Sequence, residues 1–333
     1  MKNILSILFF ILLLQVACKK ENNDFVDSFT PTLTDPVKTT YPGDYFPFQL
    51  YNFWEWSGYE YDNGSVSYSS PEGNASESID SSKADSGYMA VKYLTSITLS
   101  TGTYNVLETK ETGNINRFFQ STDTALIIRA IRLSDSGGLI EVKNPVFLRK
   151  PLVVGDKWQS QPYVDYNQLV QDMGGEITTS NINTKCLMFV IGKDNVNRKD
   201  TSRDTVVVEE RAEITGFMNT DEEGMTGKIN LNFTVDAMYY LLKNFGIVDQ
   251  TMILQGTVNG TFSSSEGSES ININITSNQT LALDSCYLNE TPLIKKVPNL
   301  KPCKINPQTG NKLADKSLKK ALTLVGRIKK MLL

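Results

Sequence analysis

Apolar and polar residues alternate with period two through most of this chain, and that pattern limits the fold more than any other feature. Ile229, Leu231, Phe233 and Val235 share one face of an extended segment, with Lys228, Asn230, Asn232 and Thr234 on the other. Ile271, Ile273 and Ile275 repeat the pattern against Asn272, Asn274 and Thr276. One face for a core and one for water suits antiparallel sheet. Further strands are predicted at 88–99, 103–109, 115–121, 125–133, 138–143, 185–192, 204–218 and 251–263. Turn signals at Asn63-Gly64, Gly113-Asn114, Gly137-Gly138, Glu223-Gly224, Asn259-Gly260 and Glu266-Gly267 are expected to separate them. Parallel strands need crossover helices, and no such helical windows stand out. The predicted fold is therefore mainly β over residues 45–290: an antiparallel sheet, a sandwich or an open barrel. Ala237 to Leu242 fits a helical turn or a buried strand equally well. There is no internal repeat of fixed period.

Composition narrows the chemistry. At 333 residues, 40% hydrophobic and 21% charged, the chain has globular composition. It contains no histidine, which excludes an imidazole general base, His-ligated zinc and Ser-His-Asp or Cys-His catalysis. A net charge of −4 gives no reason to expect a nucleic-acid partner.

Residues 1–17 read as a signal peptide. Lys2 precedes an apolar run from Ile4 to Val16, and a helix of that length, about 20 Å, falls short of a hydrocarbon core of roughly 30 Å. The run ends in Ala17-Cys18, which resembles a bacterial lipobox, although Gln15 stands where leucine is usual. The resemblance implies lipidation of Cys18, cleavage before it, and a durable anchor of two or three acyl chains. The charged stretch Lys19 to Asp24 resembles the start of surface-displayed Bacteroidetes lipoproteins. Residues 18–44, with Pro31, Pro36 and Pro42, read as a disordered tether.

Aromatic residues are densest between Tyr41 and Tyr68. Strand alternation places Tyr51, Phe53 and Glu55 on one face, and Phe48, Trp54 and Trp56 on the other. Two readings follow: a stacking platform for a sugar or lipid, or core filling by Trp54 and Trp56. Trp54, Trp56 and Trp158 are the candidate ligand-facing aromatics. YFPFQLYNFWEW (Tyr45 to Trp56) resembles the "YFPL-x-x-GN-x-W-x-Y" opening of a group of uncharacterised Bacteroidetes lipoproteins, with Tyr51 in place of glycine. PLVVGDKW (Pro151 to Trp158) and Asn244 to Val248 resemble two later motifs of that group. Across Tyr45 to Leu288 the resemblance implies a curved antiparallel sheet, similar to the open half-barrels of envelope lipoprotein carriers. It implies no activity.

Other sites are sparse. Glu209 and Glu210 are adjacent on a predicted strand and must face opposite sides, and Asp221-Glu222-Glu223 reads as a solvated turn. Gly192 to Asp200 lacks calcium-loop spacing and carries three basic residues, so it reads as a polar hairpin tip. No metal or cofactor is expected. Asn63-Gly-Ser65, Asn74-Ala-Ser76, Asn232-Phe-Thr234 and Asn259-Gly-Thr261 read as Asn-rich β-structure, whereas Asp123-Thr124-Ala125 and Asp204-Thr205-Val206 resemble a Bacteroidetes O-glycosylation pattern. Cys286 and Cys303 are expected to pair, closing a loop that stabilises by about 3 kcal/mol, with Cys186 left as a buried thiol.

From Lys295 onward, 11 Lys and Arg stand against a single Asp, so these 39 residues carry +10 and the remainder −14. Residues 291–333 read as a Pro-rich connection followed by an amphipathic α-helix. Leu318, Ala321, Leu322, Val325, Ile328 and Leu332 form its apolar side, and Lys316, Lys319, Lys320, Arg327 and Lys330 its basic side. That helix either packs on the sheet or binds an anionic lipid or an acidic partner. The sequence points to a lipid-anchored, outer-membrane and surface-exposed envelope protein with a non-enzymatic binding or structural role. Its partners would be the membrane, through the anchor, and an envelope protein, glycan or lipid ligand. Two alternatives are a carrier holding a hydrophobic ligand within the sheet and a carboxylate-based glycan hydrolase.

Overall fold

The alternating segments pair into one large antiparallel sheet whose strands run well beyond the apolar windows that announce them. The computed structural model describes residues 33, 35, 37–71, 73–112, 115–132, 137–142, 146–160, 177–198, 201–222, 225–264, 267–288 and 291–292. The strands are β1 (Thr40–Tyr41), β2 (Phe53–Ser70), β3 (Gly73–Leu99), β4 (Gly102–Glu111), β5 (Asn116–Ser121), β6 (Ala125–Arg132), β7 (Ile140–Glu141) and β8 (Val146–Arg149). They continue with β9 (Leu152–Val153), β10 (Lys157–Gln159), β11 (Ile177–Arg198), β12 (Thr201–Glu222), β13 (Met225–Leu242), β14 (Gly246–Ser264), β15 (Gly267–Leu288) and β16 (Thr291–Pro292).

Fourteen strands form the main sheet in the order β10-β11-β12-β13-β14-β15-β2-β3-β4-β5-β6-β7, with β8 on β6 and β16 on β15, while β1 and β9 pair separately. The path does not close into a barrel, and the described residues contain no helix. The predicted C-terminal helix, with Lys316, Lys319, Lys320, Arg327 and Lys330, lies outside the described residues, as do Cys18 and the signal segment. The two ends of the sheet meet through a side chain: the Trp158 indole on β10 donates to Val146 O on β8 at 3.1 Å.

The inner face carries the core. Along β13, Ile229, Leu231, Phe233, Val235, Ala237, Tyr239 and Leu241 are buried, while Lys228, Asn230, Asn232, Thr234 and Asp236 are exposed. Ala237 to Leu242 is thus strand, with its pairing to β12 holding it extended. Smaller cores lie apart from this one, around Leu187, Phe189, Ile191 and Val207, and around Ile97, Val106, Phe118 and Ala130.

Several sequence expectations need correction. Asn63-Gly64 and Asn259-Gly260 are not turns but lie inside β2 and β14. Gly64 answers a steric need: a Cβ there would overlap Asn274 O on β15. The strand predicted from Tyr88 begins at Gly73, because Gly73–Tyr88, nearly devoid of apolar residues, is held by its ladder to β2. Likewise the windows 185–192 and 204–218 are fragments of 22-residue strands. Gly192 to Arg198 is an arm of the β11–β12 hairpin, whose residues 199–200 lie outside the described set. The tether expected through residue 44 stops earlier, since β1 pairs with β9 and buries Tyr41. Finally, β2 starts only at Phe53. Before it, Tyr51 turns the chain with a left-handed φ of 68°.

Candidate functional site

An aromatic stack closes one end of the inner face. Trp54 is fully buried, 5.0 Å from the Phe46 ring and 6.2 Å from Phe48, and its indole donates to Phe245 O at 2.7 Å. Phe48 in turn meets Phe119 at 4.5 Å. Trp56 is buried and donates to Ile247 O at 2.9 Å. Trp158 is buried as well, with Arg149 over its ring. All three tryptophans have their one polar atom satisfied by backbone, as buried indoles require.

Beyond this stack, polar side chains occupy inward positions on several strands. In β2 the inward series runs Trp54, Trp56, Glu60, Asp62 and Val66, all buried. Glu60 pairs with Lys83 of β3 at 3.0 Å, Ser277 donates to Asp62, and Gln279 donates to Asp85. Burial works against the charge on Lys83, but Glu60, with Asp62 and Asp85, outweighs it and raises the ammonium pKa. On β12, Glu210 accepts from the Tyr239 hydroxyl and from the Cys186 thiol at 3.2 Å. Burial raises the Glu210 pKa, and burial with the neighbouring carboxylate pushes the Cys186 thiol and Tyr239 phenol well up. A thiol held protonated in this way is a poor nucleophile.

Arg117 of β5 forms a buried ion pair with Glu111 at 2.6 Å, and Thr109 donates to the other Glu111 oxygen at 2.6 Å. Burial still raises the Glu111 pKa. The Arg117 charge also favours ionised Glu210, so one guanidinium serves both carboxyls. Glu209 lies on the opposite face, 3.2 Å from Arg211.

A cavity of about 90 Å³ adjoins this polar region, lined by Trp56, Asp85, Glu111, Phe147, Tyr239 and Gln250 among others. Gln250 is buried, and its Nε2 has no hydrogen-bond partner among the described residues. A wider surface groove of about 480 Å³ runs past Asp44, Thr122, Asp123 and Lys150.

Sequence reasoning did not single out Glu60, Asp62, Gln250 or Gln279. The available signal was parity: Glu60 and Asp62 stand an even number of positions from Trp56, on the side of the strand that faces the core. Elsewhere, Thr124 is exposed on the β5–β6 connection, whereas Thr205 is buried and donates to Asp194 O. Cys186 and Cys286 are buried, and Cys303, the expected partner of Cys286, lies outside the described residues. Among the described residues no group of three or more Cys, Asp or Glu is placed to hold a metal ion. Nor do the described residues contain a helix long and apolar enough to cross a membrane. The outward face of β13, Lys228 to Asp236, is polar where a lipid-facing strand would be apolar.

No family model matches the chain, and no curated protein matches it. Among solved structures, a mutant of the Rh. blastica porin is 8% identical, covering 68% of this chain and 99% of that one with a TM-score of 0.14, too slight a likeness to carry an argument.

Proposed function

We propose that this chain is a lipid-anchored protein of a bacterial envelope, displayed from the outer membrane, with a non-enzymatic binding or structural role. The anchor reading rests on the apolar run ending in Ala17-Cys18. Engagement of the inward carboxyls carries the non-enzymatic reading: Glu210 with Tyr239 and Cys186, Glu111 with Arg117 and Thr109, and Glu60 with the exposed Lys83. Side chains held this way brace a sheet. The cavity beside Trp56, about 90 Å³, is too small for a fatty acyl chain, so a lipid carrier would have to hold its ligand elsewhere in the chain.

Palmitate labelling of the chain in a lipoprotein-processing bacterium, followed by membrane fractionation, tests the anchor. Label should be present in the wild type and absent from Cys18→Ala, and label retained by the variant would refute it. Native mass spectra of residues 19–333 test the scaffold. A bare protein mass is expected, and a copurifying species of lipid mass would turn the reading to the carrier.

A further inference from the structure

We propose that the notch where β4 leaves β3 is a binding site for an aliphatic hydroxyl group. Strand β4 pairs with β3 only from Met89 to Leu99, and beyond a last contact between Thr112 and Tyr88 the edge of β3 has no ladder partner among the described residues. The 90 Å³ cavity sits at this fork. Ser86 and Tyr88, both exposed, line its open side. Met89, Ile247 and Leu281 join Trp56 and Phe147 as apolar walls, and Glu111, Tyr239 and Gln250 form the buried polar part.

Hydrogen-bond accounting selects the ligand. Tyr239 spends its proton on Glu210, so towards the cavity it has only lone pairs. Asp85 and Glu111 are acceptors when ionised. Gln250, 8% exposed, holds a donor that no atom of the described residues accepts. A ligand that satisfies the site must therefore accept from Gln250 Nε2, and the remaining lone pairs of the carboxyl and phenol oxygens let it donate in return. A hydroxyl does both. An ammonium would leave Gln250 Nε2 without an acceptor, and a carboxylate has no proton to donate to the Tyr239, Asp85 or Glu111 oxygens. The apolar walls suit a short alkyl stem, and a volume of about 90 Å³ admits a hydroxyl with two or three carbons. The hydroxyl belongs either to a small free alcohol or to the tip of a longer chain entering past Ser86 and Tyr88. This site goes beyond the scaffold reading and does not depend on lipidation of Cys18.

Saturation-transfer NMR on the full folded chain tests the site with 1-propanol, its hydroxyl-free analogue 1-chloropropane, and 1-dodecanol. Transfer to 1-propanol and not to 1-chloropropane is expected. Gln250→Leu should weaken 1-propanol about tenfold while keeping or raising Tm, because a buried donor without an acceptor is removed. Gly87→Leu gives a second variant that plugs the fork: a Cβ at Gly87 meets only Thr112 Oγ1, at 3.6 Å, so the fold has room for it. It should abolish transfer. Tighter binding of 1-dodecanol, in competition with 1-propanol, would assign the hydroxyl to a longer ligand, and equal or weaker binding to a small alcohol. Absence of transfer, equal transfer to 1-chloropropane, or transfer unchanged in both variants would overturn the proposal.

Discussion

The long strands and the short strands of this sheet are held together by different means. Strands β12 and β13 share 17 consecutive registered pairs, and Val206, Val208, Ala212 and Ile214 on one and every second residue from Ile229 to Leu241 on the other are buried in the core. Strands β4 and β5 share only two pairs, supplemented by the Arg117–Glu111 ion pair and by Thr109 on the Arg117 backbone, while Phe119 of β5 reaches beyond β4 to lie 4.5 Å from Phe48 and 6.0 Å from Phe147. Where the ladder is long, the backbone fixes register and a core residue contributes mainly its buried area. Where the ladder is short, register depends on which side chains meet. Ring loss should therefore be felt more strongly in the short-strand region.

Two equivalent truncations sharpen this contrast. Phe119 is 1% exposed and Phe233 0%, so each should lose about 3–5 kcal/mol on replacement by alanine. Phe119 also gives up two ring contacts, each of about 0.5–1.5 kcal/mol beyond area. Urea unfolding should then show Phe119→Ala as the less stable variant by about 1 kcal/mol or more. Equal losses would mean that the short-strand region does not depend on its rings.

Overpacking probes the long strands in the opposite sense. A Cβ at Gly256 of β14 would collide with the Phe233 ring and Asn232 O of β13. Gly256→Ala should cost about 1–3 kcal/mol, read as a lower urea midpoint. Phe233→Leu in the same chain should recover part of that loss. No recovery would place the strain in the backbone contact alone.

A third effect is a slope with pH. Burial raises the Glu210 pKa above its ordinary 4.5, so the folded chain holds this proton more tightly than the unfolded one. The stabilisation is full below pH 4.5 and is lost as pH rises through the folded-state value. Tyr239, Cys186 and the Arg117 charge surround this carboxyl. Glu210→Gln should remove its share of the decline, narrowing the gap to wild type in urea midpoints as pH rises from 4.5 to 8. A gap independent of pH would show that Glu210 does not titrate in that range.

The same contrast explains what the sequence made legible. Antiparallel β-structure followed from alternation alone, as in Ile229 to Val235. Strand length did not, because Gly73–Tyr88 is almost without apolar residues and owes its extension to β2. Nor did Asn63-Gly64 separate strands, since the sequence cannot distinguish a glycine that turns the chain from one that admits a neighbouring carbonyl. The polar cluster around Glu210 joins β5, β11, β12 and β13, residues far apart in the chain, and only pairing brings them together. Glu60 and Asp62 were legible in principle, but a charged residue is normally assigned to the solvent face.

The smallest effect concerns the entry to β2, where the irregular region hands over to the long strands. Tyr51 takes φ 68° with its ring 57% exposed, and its N–H is fixed to Val91 O at 2.9 Å. A left-handed backbone costs a residue with a Cβ about 1–2 kcal/mol, whereas glycine adopts it freely at the expense of about 0.5–1 kcal/mol of added chain entropy. Tyr51→Gly should therefore stabilise by about 0.5–1 kcal/mol. Tyr51→Ala retains the Cβ and should gain nothing, so the pair separates backbone strain from loss of the ring. If alanine stabilises as much as glycine, the exposed ring was the unfavourable element; if both destabilise, the ring holds the turn that starts β2.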